Sequence, residues 1–116
     1  MRVPQWLRKI PREGWMALSL VAMTASAYFY VAYCGFIDYD DSAYVTSNKL
    51  VQQGLSWHGL IYAFTHTALF LYTPVTLLSH MLDCQLFGLD PAGAHLMSLF
   101  YHLLCTLLVF FLLDKM

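Results

Sequence analysis

Two long apolar runs set the plan of this chain. From Trp15 to Cys34 no charged residue occurs in twenty positions. At about 1.5 Å per residue, a helix of that length matches the roughly 30 Å hydrocarbon core of a bilayer. Trp15 stands at one end of the run and Tyr28, Tyr30 and Tyr33 at the other, where aromatic rings favour the membrane–water boundary. The second run extends from Gly93 to Leu113 and stops at Asp114 and Lys115; His95 and His102 interrupt it. Two shorter patterns lie between the runs. Ser56 reads as a helix cap. Trp57, Leu60, Ile61, Phe64 and Ala68 then recur at helical spacing, which predicts a helix over about 56–70. Thr73 and Pro74 open a second helix, over 74–87, with Val75, Leu78, Leu82 and Leu86 on its apolar side and Thr76, Ser79, His80 and Asp83 on its polar side. Gly88 closes it and Pro91 bars its continuation. Both are too short to span, and their amphipathic pattern suits the interface plane.

Composition and charge turn this pattern into a topology. The chain is 59% hydrophobic and 11% charged, whereas a soluble domain is about half apolar and a quarter charged. The expected fold class is an all-α membrane protein. Two transmembrane helices (15–35 and 93–113) are joined by an extracytoplasmic loop (36–92) that carries two short amphipathic interfacial helices. Arg2, Arg8, Lys9 and Arg12 supply four of the six basic residues. Basic residues stay cytoplasmic, which puts 1–14 inside and, after two crossings, 114–116 inside as well. The loop holds one lysine, no arginine and five aspartates. A cleaved signal peptide is the rival reading of the first run; its apolar region is long for that role, and Tyr33 stands where a lipoprotein cleavage site would want a small residue. A net charge of −1 gives no reason to expect nucleic acid. Cys34, Cys84 and Cys105 form no CxxC, and no intrachain disulfide is expected.

Polar residues inside the runs point to company. Ser19, Ala22 and Ser26 share a face of the first helix, and small residues permit close helix packing. His95, Ser98, His102 and Cys105 share a face of the second. In a bilayer such a stripe faces protein, either as neutral histidines bonded to nearby carbonyls or against further transmembrane helices. His95 and His102 lie about 10 Å apart along the axis, too far for one mononuclear metal. Asp38, Asp40 and Asp41 follow directly on the first run. They are either a solvated loop or a group for acid–base work or cation binding, since a carboxylate partly desolvated near a membrane becomes a better proton acceptor near neutral pH. His80, Asp83 and Cys84 could touch a metal, but their number and type match no signature, and a His80–Asp83 hydrogen bond is the simpler expectation.

Several of these residues stand in a familiar order. Asp38-Tyr39-Asp40-Asp41, Tyr44-Val45-Thr46, Gly54-Leu55-Ser56-Trp57 and Ala63-Phe64-Thr65 are followed by the run from Pro74 through Ser79-His80-Met81-Leu82-Asp83-Cys84-Gln85-Leu86-Phe87-Gly88, and then by Pro91-Ala92-Gly93-Ala94-His95-Leu96. The series resembles the N-terminal part of GT-C-type membrane glycosyltransferases that carry C-terminal tetratricopeptide repeats, relatives of the protein O-mannosyltransferases. The resemblance implies sugar transfer from a polyprenyl-phosphate donor on the non-cytoplasmic side. An acidic residue just after the first span would take the proton of an acceptor hydroxyl. Mapped onto this chain, Asp40 is the first candidate base and Asp41 the second, with Asp38 and His80 in substrate binding. No protein-bound metal is implied, beyond a divalent cation that the acidic loop would suit. Two positions depart from the family pattern: Thr73 replaces a basic or aromatic-polar group before Pro74, and Ala94-His95 replaces paired histidines. Family members continue through many more helices. The expectation is therefore a truncated front part, inactive until completed by further helices, in a bacterial inner membrane. The alternative is a non-enzymatic two-span assembly subunit on the same scaffold.

Overall fold

A computed structural model describes residues 11–116. The basic residues Arg2, Arg8 and Lys9, on which the orientation expectation rests, lie outside the described residues. About three-quarters of the chain is helical, and the described residues hold no strand. Five α-helices follow in order: α1 (Arg12–Tyr28), α2 (Lys49–Gln52), α3 (Trp57–Thr65), α4 (Pro74–Phe87) and α5 (Pro91–Asp114). A 3-10 turn, Phe29–Tyr33, extends α1, and a π-helical turn, Ser42–Thr46, precedes α2. Two helical stretches, Arg12–Tyr33 and Pro91–Asp114, are long and apolar enough to cross a membrane. The chain divides into two compact units, one of residues 31–97 and one of the remainder.

Among the described residues, the unit holding α1 and the C-terminal part of α5 has no buried side chain: α1 contains no buried residue, and in α5 only Gly93, which belongs to the other unit, is buried. The rings of Tyr28 and His102 meet edge to face, with centroids 5.4 Å apart. Leu20 of α1 and Cys105, Val109 and Phe110 of α5 line an open cleft of about 470 Å³. The hydroxyls in this unit turn back on their own helices. Ser19 donates to the Trp15 carbonyl and Thr106 to the His102 carbonyl, both at 2.9 Å. Such bonds let a hydroxyl sit in an apolar setting without a partner on another helix.

The second unit has a small true core. Val51, Leu77 and Met81 are fully buried, and Val45, Ala63, Ala68 and Cys84 complete the cluster. Local chemistry fixes each element. The Asn48 side chain caps α2 by accepting from Val51 N, and Ser56 caps α3 by accepting from Gly59 N at 3.0 Å. Pro74 occupies the first turn of α4, where its missing N–H costs nothing. Gly88 ends α4 with φ +66, a conformation that side chains resist. α3 and α4 approach closely because Gly59 faces Met81: a Cβ on Gly59 would lie 2.9 Å from Met81 Sδ.

The structure corrects the expected loop helices in two ways. α3 ends at Thr65, not near 70. Leu69 and Phe70 adopt positive φ, 48° and 65°, in a tight turn closed by paired bonds between Ala68 and Leu71, so the helical path is broken there. The polar side of α4 also differs from the amphipathic reading, because Asp83 is buried. On α4 the inward residues are Leu77, Met81, Asp83 and Cys84, while Val75 and Leu86 point outward. On α3 the inward residues are Gly59 and Ala63, while Trp57, Ile61 and Phe64 are exposed. The core selected small and medium residues that let helices approach. The bulky hydrophobes that dominate the sequence pattern lie on the outer surface.

Candidate functional site

The acidic segment and α4 meet within the 31–97 unit. The Ile37 N–H donates to Asp41 Oδ2 at 2.9 Å, and the Tyr39 N–H to the Ile37 carbonyl at 2.9 Å, which curls 37–41 into a tight bend. The following π-turn is closed by the Ser47 N–H bonding the Ser42 carbonyl at 2.8 Å. The Gln52 side-chain amide locks the turn by donating to the carbonyls of Val45 and Thr46 at 2.9 and 2.8 Å. Extra residues per turn re-aim side chains, and such turns concentrate at functional sites. Here the turn drives Val45 into the core and lays Tyr44 against His80, with ring centroids 5.9 Å apart.

His80 and Asp83 lie one helical turn apart on α4. Their expected hydrogen bond is not formed: His80 Nδ1 and Asp83 Oδ2 are 3.8 Å apart, beyond hydrogen-bond range but within reach of an ion pair. Asp83, placed on the polar side of the helix by the sequence pattern, is only 6% exposed. Its Oδ1, His80 Nδ1 and Thr73 Oγ1 are buried among the described residues without a hydrogen-bond partner. Such atoms carry a desolvation cost that structures seldom retain without a function. Burial pushes the Asp83 carboxyl up from its ordinary range, and His80 partly offsets this. Burial pulls the His80 imidazole down, while the charges of Asp83 and Asp41 pull it back up. Burial and the charge of Asp83 together push the Cys84 thiol up.

The four site residues named from the sequence are therefore not equivalent. Asp41 is half-buried, held by Ile37 N–H, and close enough for its field to reach His80. Asp38 and Asp40 are exposed at the surface of the bend. His80 is half-buried at the centre, between Tyr44 and Asp83. Two contributors stand outside those four. Asp83 was singled out in the sequence only with His80 and Cys84, as a group that could touch a metal or as a hydrogen-bond partner of His80, and Tyr44 carried no signal beyond its place in the motif series. Among the described residues no three His, Cys, Asp or Glu side chains converge as a metal would require. His95, in the second apolar run, approaches the Gly35 carbonyl at 3.4 Å and tilts against the Phe36 ring. What the arrangement can do is hold a half-buried imidazole against the Asp83 carboxylate and the Tyr44 ring, placed to exchange a proton. No family model, curated protein or solved structure matches this chain.

Proposed function

We propose that the chain crosses a membrane twice and forms the front part of a GT-C-type glycosyltransferase that uses a polyprenyl-phosphate sugar. The observation that supports this reading is the contact of Tyr44 with His80, ring centroids 5.9 Å apart, which joins the turn after the acidic segment to the Ser79–Gly88 segment of the motif series. Asp40 is the base: it is exposed to an incoming acceptor, whereas the Asp41 carboxylate is already engaged by Ile37 N–H. In the reaction, Asp40 takes the proton of the acceptor hydroxyl as its oxygen bonds to the anomeric carbon. The bond to the lipid phosphate breaks with its electron pair on the phosphate, and configuration inverts. His80 is the group to meet that phosphate. An approaching anion favours the imidazolium that burial disfavours. Asp38 lies on the acceptor side of the bend. In this reading the apolar helices are the two spans and the 36–92 loop faces away from the cytoplasm.

A second reading, a non-enzymatic assembly subunit in the membrane, draws on Thr73, a neutral residue with a buried, unpartnered hydroxyl where a basic group would serve the donor. One experiment separates the two. The chain is co-expressed with the remaining helices of a family member, and transfer of labelled sugar from polyprenyl phosphate to acceptor peptide is followed. The enzyme reading expects transfer that Asp40→Asn abolishes and that His80→Ala weakens through KM for the donor. Full activity in the Asp40→Asn variant removes Asp40 as the base. No transfer by an assembled, membrane-inserted complex favours the assembly subunit.

A further inference from the structure

The turn between α3 and α4 has a shape that its sequence does not favour. Leu69 and Phe70 both take positive φ, 48° and 65°, and paired Ala68–Leu71 bonds of 3.0 and 2.8 Å close the turn. Asparagine and glycine serve such two-residue turns, because a branched or aromatic side chain there is strained. The strain is not repaid inside the unit. Ala68 is anchored in the core, yet Phe70 is 99% exposed. The fold thus fixes the base of the turn and displays an aromatic ring at its tip.

We infer that this turn is a lipid-inserted wedge, with Phe70 and its leucine neighbours entering the outer leaflet. The inference rests on the proposed reading that the two long apolar helices cross a bilayer. That tethers the unit to the bilayer surface through the helix leading into it and the helix leading out. Three features select lipid over a protein partner. No residue from Leu50 to Leu82 carries a formal charge, so neither the turn nor its flanks offer an ion pair to a partner. At the base of the turn the Ala68 and Leu71 amides pair with each other's carbonyls, and the Tyr72 hydroxyl donates back to the Phe64 carbonyl at 3.3 Å. Backbone that enters lipid needs that internal pairing. Finally, Leu69, Leu71 and Tyr72 are exposed with Phe70, and phenol rings favour the depth of the headgroups.

The test uses the full chain reconstituted in vesicles of phosphatidylcholine and phosphatidylglycerol. A dansyl-bearing amino acid replaces Phe70 in one preparation and the exposed, polar Gln53 of the same unit in another. Because Phe70 packs on nothing, the replacement leaves the core intact. Position 70 is expected to emit at shorter wavelength and to be quenched several-fold more by spin-labelled lipid chains than by aqueous iodide, with the order reversed at position 53. Equal exposure of both positions to iodide overturns the wedge, and so does shielding of position 70 from both quenchers, which marks a protein cover. Carbonate-resistant flotation with the vesicles reports the spans separately. A chain that fails to float overturns the two-span reading and the wedge with it, whereas a floating chain with an iodide-accessible position 70 overturns the wedge alone.

Discussion

Replacing Leu77 by alanine tests which face of α4 holds the loop unit together. Leu77 is completely buried in a core with only two other fully buried large side chains, Val51 and Met81. The substitution removes three carbons, worth about 0.8 kcal/mol each on transfer from water. The cavity term raises the total to about 3–4 kcal/mol, inside the roughly 2.7–5 kcal/mol span of comparable Leu→Ala changes. A unit of this size is stable by only about 3–10 kcal/mol. Leu77→Ala therefore brings it close to unfolding. Val75, two residues earlier and 73% exposed, is the matched control, and Val75→Ala costs about 0.5 kcal/mol or less. Hydrogen exchange on the full chain in detergent micelles reads the difference directly. Protection of the α4 amides drops on the order of 100-fold or more for Leu77→Ala, since about 1.4 kcal/mol is tenfold, and stays near wild type for Val75→Ala. The apolar side read from the sequence includes Val75 and not Leu77. A larger loss for Val75→Ala than for Leu77→Ala would refute the packing described here.

Three further outcomes follow from the same geometry. Ser56→Ala removes the α3 cap on Gly59 N and lowers protection of α3 by about 1 kcal/mol, whereas Ser56→Asp keeps it. Gly59→Val puts a Cβ 2.9 Å from Met81 Sδ and costs about 1–3 kcal/mol by overpacking, visible as loss of α4 protection as well as α3; pairing it with Met81→Ala relieves part of the cost. For Asp83→Asn, the His80 imidazole, followed by NMR, titrates lower still, because the carboxylate that raises it is gone. The pH dependence has a definite sign. Burial lowers the folded pKa of His80, so stability present above the ordinary value of 6.5 is lost as pH falls through the folded value. Burial raises that of Asp83, so stability falls as pH rises from the ordinary 3.8 through the folded value. Asp83→Asn removes only the second of these, and a variant that loses the first instead would contradict the assignment.

The elements were more legible than their faces. Charge-free length marked both long helices, and flanking aromatics the first, because length against hydrocarbon thickness is a one-dimensional signal. Ser56, Pro74 and Gly88 marked the starts and end of α3 and α4, because caps act locally. The inward faces were not legible, since hydrophobic periodicity assumes that bulky apolar residues point inward. In this unit that assumption fails. Trp57, Ile61, Phe64 and Val75 remain outside, while Gly59 and Ala63 admit Met81. The same reversal hid Asp83, whose burial depends on α4 turning its His80–Asp83 edge toward the π-turn. That turn has no sequence signature: its extra residue is set by Gln52 bonding carbonyls six and seven residues back. Asp38, Asp40 and Asp41 were visible as a cluster, but only the structure separates Asp41, tied to Ile37 and felt by His80, from its two exposed neighbours.

The most direct test of the account is the side of the membrane on which the acidic bend lies. In intact cells an impermeant maleimide should modify Gln53→Cys without permeabilisation, and should reach Lys115→Cys only after the membrane is opened. Labelling of position 115 first, with position 53 protected until permeabilisation, would place Asp40 and His80 on the wrong side for a lipid-linked donor and contradict the account.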